Sequence, residues 1–103
     1  MHLEDIINNQ IKFSQKTFGP GSRDAGLIDH IKKELKEIAE HPGDLEEWID
    51  VIILAIDGAW RHGYSADCIV DVLVTKQQKN EKRSWPDWRQ ADTGKAIEHI
   101  REE

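Results

Sequence analysis

Apolar residues recur every three or four positions along most of the chain, which is the spacing of amphipathic helices. This spacing predicts four main helices over residues 3–16, 24–40, 45–62 and 65–81. The third helix carries the most apolar run, Val51–Ile56, and we expect neighbours to bury it on several sides. A short fifth helix over residues 92–101 has only Ile97 and Ile100 as anchors. No strand pattern is found, so the sequence predicts an all-α bundle of four main helices plus a short C-terminal helix.

Glycine, proline and capping residues mark the boundaries of the predicted helices. Gly19-Pro20-Gly21 breaks both helix and strand and predicts the turn between the first two helices. His41-Pro42-Gly43 predicts a short turn after the second helix, so the second and third helices should lie antiparallel and adjacent. Gly63 is placed to end the third helix in a left-handed conformation, and Ser65 can cap the fourth.

Length and composition bound the class of protein. The 103 residues are enough for a single domain, and we expect residues 1–103 to form one. Apolar residues make up 38% and charged residues 33%, which favours cores shared between subunits in an oligomer. The net charge of −6 argues against nucleic acid as a partner.

Cysteine content and apolar runs give an expected location. The single cysteine, Cys68, excludes an internal disulfide framework and fits a reducing cytoplasm. The longest apolar run has six residues, Val51–Ile56, and the N-terminus lacks a signal pattern, so we expect no membrane partner.

Acidic residues concentrate in the second and third helices, with eight between Glu34 and Trp60 against one basic residue. Glu34 and Glu37 share one helix face, and Glu47 and Asp50 form a second pair on the next helix. If the helices are antiparallel neighbours, four carboxylates converge and require cations. Magnesium binds through a few carboxylates together with substrate phosphates. The sequence therefore predicts a magnesium site for a phosphate compound.

The acidic pairs also have a plainer explanation. Acidic residues three apart are common on solvated helix faces, and Glu47 could complete a capping box that begins at Asp44. A site is favoured because Asp50 and Asp57 flank the most apolar run, where an unpaired carboxylate would be costly.

A basic face on the fourth helix is a candidate counterpart for a triphosphate. It comprises Lys76, Lys79, Asn80 and Arg83. The alternative is a solvated basic helix end, which interacts favourably with the helix dipole.

Histidine and aromatic residues are further candidates for substrate contact. His30 lies one helical turn before Glu34 and could touch a phosphate or a nucleobase, or be an ordinary surface histidine. Phe18, Trp85 and Trp88 could stack on a base, although packing of the C-terminal tail also explains the two tryptophans.

Several of these segments resemble a known family. Lys33–Glu37 and Glu46–Asp50 are similar to the E-x-x-E and E-x-x-D motifs of the MazG-like all-α nucleoside triphosphate pyrophosphohydrolases. Other segments resemble one branch, the dATP/dGTP diphosphohydrolases found largely in phages and prophages: Phe13–Gly21, Leu27–Ile31, Asp57–Arg61 and Arg83–Arg89. The resemblance extends over about residues 5–101, and Lys33 stands where many members have glutamate.

The resemblance implies a function and a set of site residues. The reaction would be hydrolysis of dGTP or dATP to the monophosphate and pyrophosphate, in a homodimer or dimer of dimers that completes the bundle. Two or more Mg²⁺ ions, or Mn²⁺ in their place, would be held by Glu34, Glu37, Glu47 and Asp50. Glu34 and Glu37 are the candidate catalytic residues, with Glu37 taking the proton of the attacking water. The candidate substrate-binding residues are Asn9, Phe18, Arg23, His30, Asp57, Lys76, Lys79, Asn80 and Arg83.

Two other functions remain open on the sequence. One is a non-enzymatic acidic helical protein that binds a partner, which explains the charge but not the opposed carboxylate pairs. The other is an enzyme of the same fold that acts on another nucleotide. In each case we expect a cytoplasmic protein, in the host cytoplasm if a phage encodes it.

Overall fold

The structure, a computed structural model, describes residues 1–101 and consists of helices joined by short turns. The helices are α1 (Leu3–Phe18), α2 (Asp24–Glu40), α3 (Leu45–Arg61) and α4 (Ala66–Lys82), followed by one turn of 3₁₀-helix at Trp88–Gln90. No strand occurs within residues 1–101. The predicted all-α class and the four main helices are confirmed.

The helix boundaries follow the predicted signals. Gly19 and Gly63 adopt φ angles of +82° and +95°, which side chains with a Cβ rarely tolerate. The Asp44 side chain accepts a hydrogen bond from the Glu46 backbone N–H at 3.0 Å and caps α3. The Ser65 hydroxyl accepts one from the Cys68 N–H at 3.2 Å at the start of α4. Each boundary therefore has a local cause in the sequence.

The prediction of a fifth helix over residues 92–101 is wrong. Beyond Gln90 the described chain is irregular, with a turn in which Asp92 accepts a hydrogen bond from the Gly94 N–H at 2.8 Å. Ile97 and Ile100 are both exposed, and isolated helices of this length are marginal without packing. Gly94 lowers the helical propensity further.

The chain forms two compact units, one over Met1–Asp71 and the other beginning at Val72. In the first unit, α3 packs against both α2 and α1. A side chain at Gly58, late in α3, would touch Leu27, early in α2, whereas Glu47, early in α3, lies beside Glu37, late in α2. The predicted antiparallel pairing of α2 and α3 is thereby confirmed.

The core of one chain is small, and the apolar run of α3 is buried less than expected. The buried apolar residues are Ile7, Leu27, Ile38, Trp60 and Ala66. Ile52, in the middle of the run, remains 52% exposed, and Ile49 and Ile53 are also exposed. The prediction that neighbours bury Val51–Ile56 on several sides is wrong for a single chain, because α1 and α2 cover only part of its circumference.

None of the helices in the described part of the chain is both long and apolar enough to cross a membrane.

Candidate active site

Three glutamates converge where α2 and α3 run side by side. Glu34 and Glu37 lie one turn apart on α2, and Glu47 reaches them from the first turn of α3. One carboxylate oxygen from each lies within 4.8 Å of the other two. The convergence predicted from the two acidic motifs therefore includes three of the four proposed metal ligands. We call Glu34, Glu37 and Glu47 the glutamate cluster.

Asp50, the fourth proposed ligand, lies outside this cluster. It follows Glu47 by about one helical turn and is exposed to solvent. Its role as a metal ligand stays a prediction.

The glutamate cluster has the chemistry that a hard divalent cation requires. Oε2 of Glu34 and Oε2 of Glu47 are buried and accept no hydrogen bond from the described residues. A buried carboxylate oxygen without a partner is costly, and a cation removes that cost. Oxygen-only donors are what Mg²⁺ and Mn²⁺ prefer. The residues present therefore fit a divalent cation.

Crowding of the three carboxylates shifts the pKa of Glu47. A hydrogen bond with Glu37, followed by burial and the charges of Glu37 and Glu34, raises the pKa of Glu47 from 4.5 to about 7.

The alternative assignment of Glu47 to a capping box is wrong. Asp44 caps α3 through the Glu46 N–H, and Glu47 turns its carboxylate toward the two glutamates of α2. Because a capping box requires that carboxylate at the N-cap backbone, the side chain of Glu47 is committed to the cluster instead.

His30 connects the glutamate cluster to a neighbouring cavity. Its Nε2 lies 3.2 Å from Oε1 of Glu34, one turn along α2, and the imidazole is about half exposed. The same imidazole lines a cavity of about 120 Å³ between α1, α2 and α3. Engineered cavities of about 150 Å³ bind benzene, so this one is slightly smaller than a cavity that holds a whole benzene ring.

Aromatic and polar residues surround the cavity. Its lining comprises Gln10, Phe13, Ser14, Phe18, Arg23, Gly26, Leu27, His30, Ile53, Leu54 and Asp57. Phe13 and Phe18 meet edge to face with their ring centroids 6.3 Å apart. The guanidinium carbon of Arg23 lies 5.2 Å from the centroid of the Phe18 ring. The cavity thus offers flat apolar surfaces beside a positive group.

Three of the predicted nucleoside contacts, Phe18, Arg23 and His30, line this cavity, whereas Asn9 does not. Asn9 is exposed, and the next residue, Gln10, lines the cavity and donates from Nε2 to the Ile53 carbonyl oxygen at 2.6 Å. Gln10 and Phe13 were not among the predicted substrate contacts. Gln10 could have been predicted to have a role in the site, because it is a polar residue at an apolar position of α1.

Asp57, another predicted substrate contact, is buried and held by other parts of the protein. Oδ1 accepts hydrogen bonds from the Ser14 hydroxyl and from Trp60 Nε1, and Oδ2 accepts one from Arg61 Nε. The carboxylate lines the floor of the cavity with its oxygens already engaged. Ser14 and Arg61 were not predicted as partners of Asp57. The four-residue spacing of Asp57 and Arg61 does, however, indicate a helical ion pair.

The predicted phosphate-binding residues Lys76, Lys79, Asn80 and Arg83 belong to the second unit. Within that unit Arg83 donates to the Asn80 side chain at 3.1 Å, and Trp85 Nε1 donates to the Asn80 carbonyl oxygen at 2.7 Å. Lys76 and Lys79 are exposed. The assignment of these residues to phosphate stays a prediction.

The two C-terminal tryptophans are engaged within the second unit. Trp85 packs edge to face against His99, with ring centroids 5.9 Å apart, and Arg89 lies over the Trp88 ring. Burial and the nearby charges of Arg83, Arg101 and Lys76 lower the pKa of His99. The contacts of Trp85 favour packing of the tail over base stacking, whereas Trp88 is 70% exposed and its role stays a prediction.

Stability of the metal-free protein should depend on pH through Glu47. Because the pKa in the folded state lies above its ordinary value of 4.5, the contribution of Glu47 is complete below that pH and is lost as pH rises through about 7. Glu47→Gln removes this loss. We expect the variant's gain in melting temperature over the wild type, measured in EDTA, to be larger at pH 8 than at pH 5. A gain that is equal at both pH values would contradict the shift.

Comparison with known proteins gives one match. A family model described as dATP/dGTP pyrophosphohydrolase matches residues 6–103, almost the whole chain. No curated protein and no solved structure matches the chain.

Proposed function

This chain belongs to the dATP/dGTP pyrophosphohydrolase family, and on that premise we propose that it hydrolyses dGTP and dATP to the monophosphate and pyrophosphate in a magnesium-dependent reaction. One observation carries the proposal: the glutamate cluster adjoins an aromatic cavity through the contact of His30 with Glu34. A nucleotide can then place an edge of its base at the cavity while its phosphates face the carboxylates. Residues 1–103 would act as one domain.

The glutamate cluster, with Asp50 as a fourth ligand, would hold the metal. The unpartnered buried oxygens of Glu34 and Glu47 are the strongest candidates for direct coordination. When bound, two or more Mg²⁺ ions, or Mn²⁺ in their place, would neutralise phosphate oxygens and acidify a water molecule.

Glu37 would act as the general base. It is the exposed member of the cluster, so water can reach its carboxylate while Glu34 and Glu47 remain more buried. Water attacks the α-phosphorus, a new bond forms between them, and the bond from that phosphorus to the bridging oxygen breaks. The proton of the water passes to Glu37, and pyrophosphate leaves with the electron pair of the broken bond.

Basic residues and a second subunit would complete the site. Lys76, Lys79 and Arg83 carry the positive charge needed to offset the β- and γ-phosphates, with Asn80 beside Arg83. The apolar surface of α3, which includes the exposed Ile49 and Ile52, is the kind of face that a homodimer or dimer of dimers buries. We propose such an oligomer in the cytoplasm, or in the host cytoplasm if the gene is carried by a phage.

Product analysis tests this proposal. Each of the four dNTPs is incubated with the protein and Mg²⁺, Mn²⁺ or EDTA, and the products are separated. We expect dNMP and pyrophosphate from dGTP and dATP with either metal and none with EDTA. Formation of dNDP and orthophosphate would refute attack at the α-phosphorus. Turnover of other nucleotides alone would favour a same-fold enzyme with another substrate, and no turnover at all would favour a binding protein.

Phe18 should contribute to the preference for purines. Stacking of a base on an aromatic ring is worth about 1–3 kcal/mol, so Phe18→Ala should lower kcat/KM for dGTP about tenfold and that for dCTP less. Trp88→Ala removes an exposed aromatic ring in the second unit and should leave the ratio of the kcat/KM values for dGTP and dCTP unchanged. Kinetics with both substrates check this. An unchanged ratio in Phe18→Ala would place the base elsewhere.

A further inference from the structure

The turn between α1 and α2 joins two residues that line the aromatic cavity. Gly19 and Gly21 both adopt positive φ angles, +82° and +90°. Phe18 precedes these glycines, Arg23 follows them, and both side chains line the cavity. Because Phe18 ends α1 and Arg23 immediately precedes α2, the path of the Gly19–Gly21 turn sets how these two side chains stand relative to each other at the cavity.

A single buried guanidinium holds this turn. Nη1 of Arg61, the last residue of α3, donates to the Gly19 carbonyl oxygen at 2.8 Å and to the Gly21 carbonyl oxygen at 3.0 Å. Nη2 donates to the Ser14 hydroxyl of α1 at 2.9 Å. The side chain of Arg61 is completely buried. One group thus joins α1, the turn and α3.

The charge of Arg61 is balanced by the buried carboxylate of Asp57. Its Nε lies 3.1 Å from Oδ2 of Asp57, whose other oxygen accepts hydrogen bonds from Ser14 and Trp60. The guanidinium carbon also lies 4.4 Å from the centroid of the Trp60 ring. Because four of its five N–H groups donate hydrogen bonds inside the protein and its charge is paired with Asp57, Arg61 is held in one orientation as a clamp.

We propose that Arg61 is a positioning residue that sets base selection: it fixes the Gly19–Gly21 turn and thereby the Phe18 and Arg23 side of the cavity. The inference rests on the proposed function. It separates two tasks within the first unit, because the glutamate cluster carries the chemistry while the clamp formed by Arg61, Asp57 and Ser14 shapes the seat of the purine. Asp57 would then act through Arg61 rather than by touching the nucleotide.

Arg61→Lys tests the clamp. A lysine keeps the charge opposite Asp57, but one ammonium cannot reproduce the fork that reaches two carbonyl oxygens and Ser14. We expect KM for dGTP to rise about tenfold while kcat changes less than about threefold, and the preference for dGTP over dCTP to shrink toward one. Hydrogen exchange in residues 19–23, read at the Gly19 amide that donates to the Gln15 carbonyl oxygen at 3.1 Å, should become faster. Affinity of the glutamate cluster for Mn²⁺ should not change.

Two further variants keep the test decisive. Asp57→Asn combined with Arg61→Gln removes both charges together, which avoids an unpaired buried charge if Arg61→Lys does not fold, and should show the same changes. Lys12→Met is the control. It removes a positive charge from an exposed side chain of α1 that does not line the cavity. It should leave KM and the exchange of residues 19–23 as in the wild type.

The outcomes separate the clamp from the proposed function. If the wild type hydrolyses no nucleotide, the proposed function fails, and dGTP binding in the presence of Ca²⁺, measured by calorimetry, replaces KM in the test. Faster exchange in residues 19–23 with weaker binding of dGTP supports the clamp. Unchanged exchange, or a loss confined to kcat with KM and base preference intact, overturns it.

Discussion

Turnover of dGTP should fall by about a thousandfold or more when Glu47 is replaced by glutamine, and by a similar factor for Glu34→Gln, because each change removes a ligand from a centre that stabilises several kcal/mol of transition-state charge. Each of these glutamates has a buried oxygen that accepts no hydrogen bond from residues 1–101, so within this range neither side chain serves another part of the protein with that atom. The loss should appear together with weaker Mn²⁺ binding in a calorimetric titration.

Glu46→Gln is the control for the metal ligands. Glu46 precedes Glu47 in the first turn of α3, is exposed and does not belong to the glutamate cluster. The Glu46→Gln variant loses the same charge from the same helix end as Glu47→Gln. Its turnover and Mn²⁺ affinity should stay near those of the wild type. Equal losses in Glu46→Gln and Glu47→Gln would mean that overall negative charge, and not coordination, is what the reaction needs.

Glu37→Gln should lower kcat by a factor of about 10² to 10⁴, the usual contribution of a general base. Glutamine can still offer an oxygen to a cation but cannot accept the proton of the attacking water. The rate should therefore stay low when Mn²⁺ is raised to saturation. Steady-state kinetics over a range of Mn²⁺ concentrations check this.

Glu40→Gln is the control for the general base. Glu40 lies one turn beyond Glu37 at the end of α2, is exposed and stands outside the cluster. Its variant should retain the wild-type kcat. If saturating Mn²⁺ restored the kcat of Glu37→Gln to that of the wild type, Glu37 would be a ligand alone and the base would be another group.

The helices could be predicted because their boundaries are local. Glycine at positive φ and short polar caps act within one turn of the residue itself, as Gly63 and Ser65 do. The prediction of a helix over residues 92–101 was wrong for the opposite reason. Its two isoleucines fit a helical spacing, but a helix of that length depends on packing that spacing alone does not report.

The glutamate cluster could be predicted from the sequence because helical spacing and one short turn are enough to bring its members together. Glu34 and Glu37 share a face by helical spacing, and the short turn at His41–Gly43 brings Glu47 back toward them. Asn9 illustrates the limit, since one residue along α1 decides between solvent and the cavity, which Gln10 lines instead. The hydrogen bonds of Arg61 with Gly19 and Gly21 could not be predicted because they depend on the path of an irregular turn, whereas its pairing with Asp57 follows from helical spacing.

Hydrolysis of dGTP in water enriched in ¹⁸O tests the central claim most directly, because it reports which phosphorus the water attacks. With Mg²⁺ and the wild-type protein, mass spectrometry of the products should find one ¹⁸O atom in dGMP and none in pyrophosphate. Label in pyrophosphate or orthophosphate with unlabelled nucleotide, or absence of hydrolysis with both Mg²⁺ and Mn²⁺, would contradict the account.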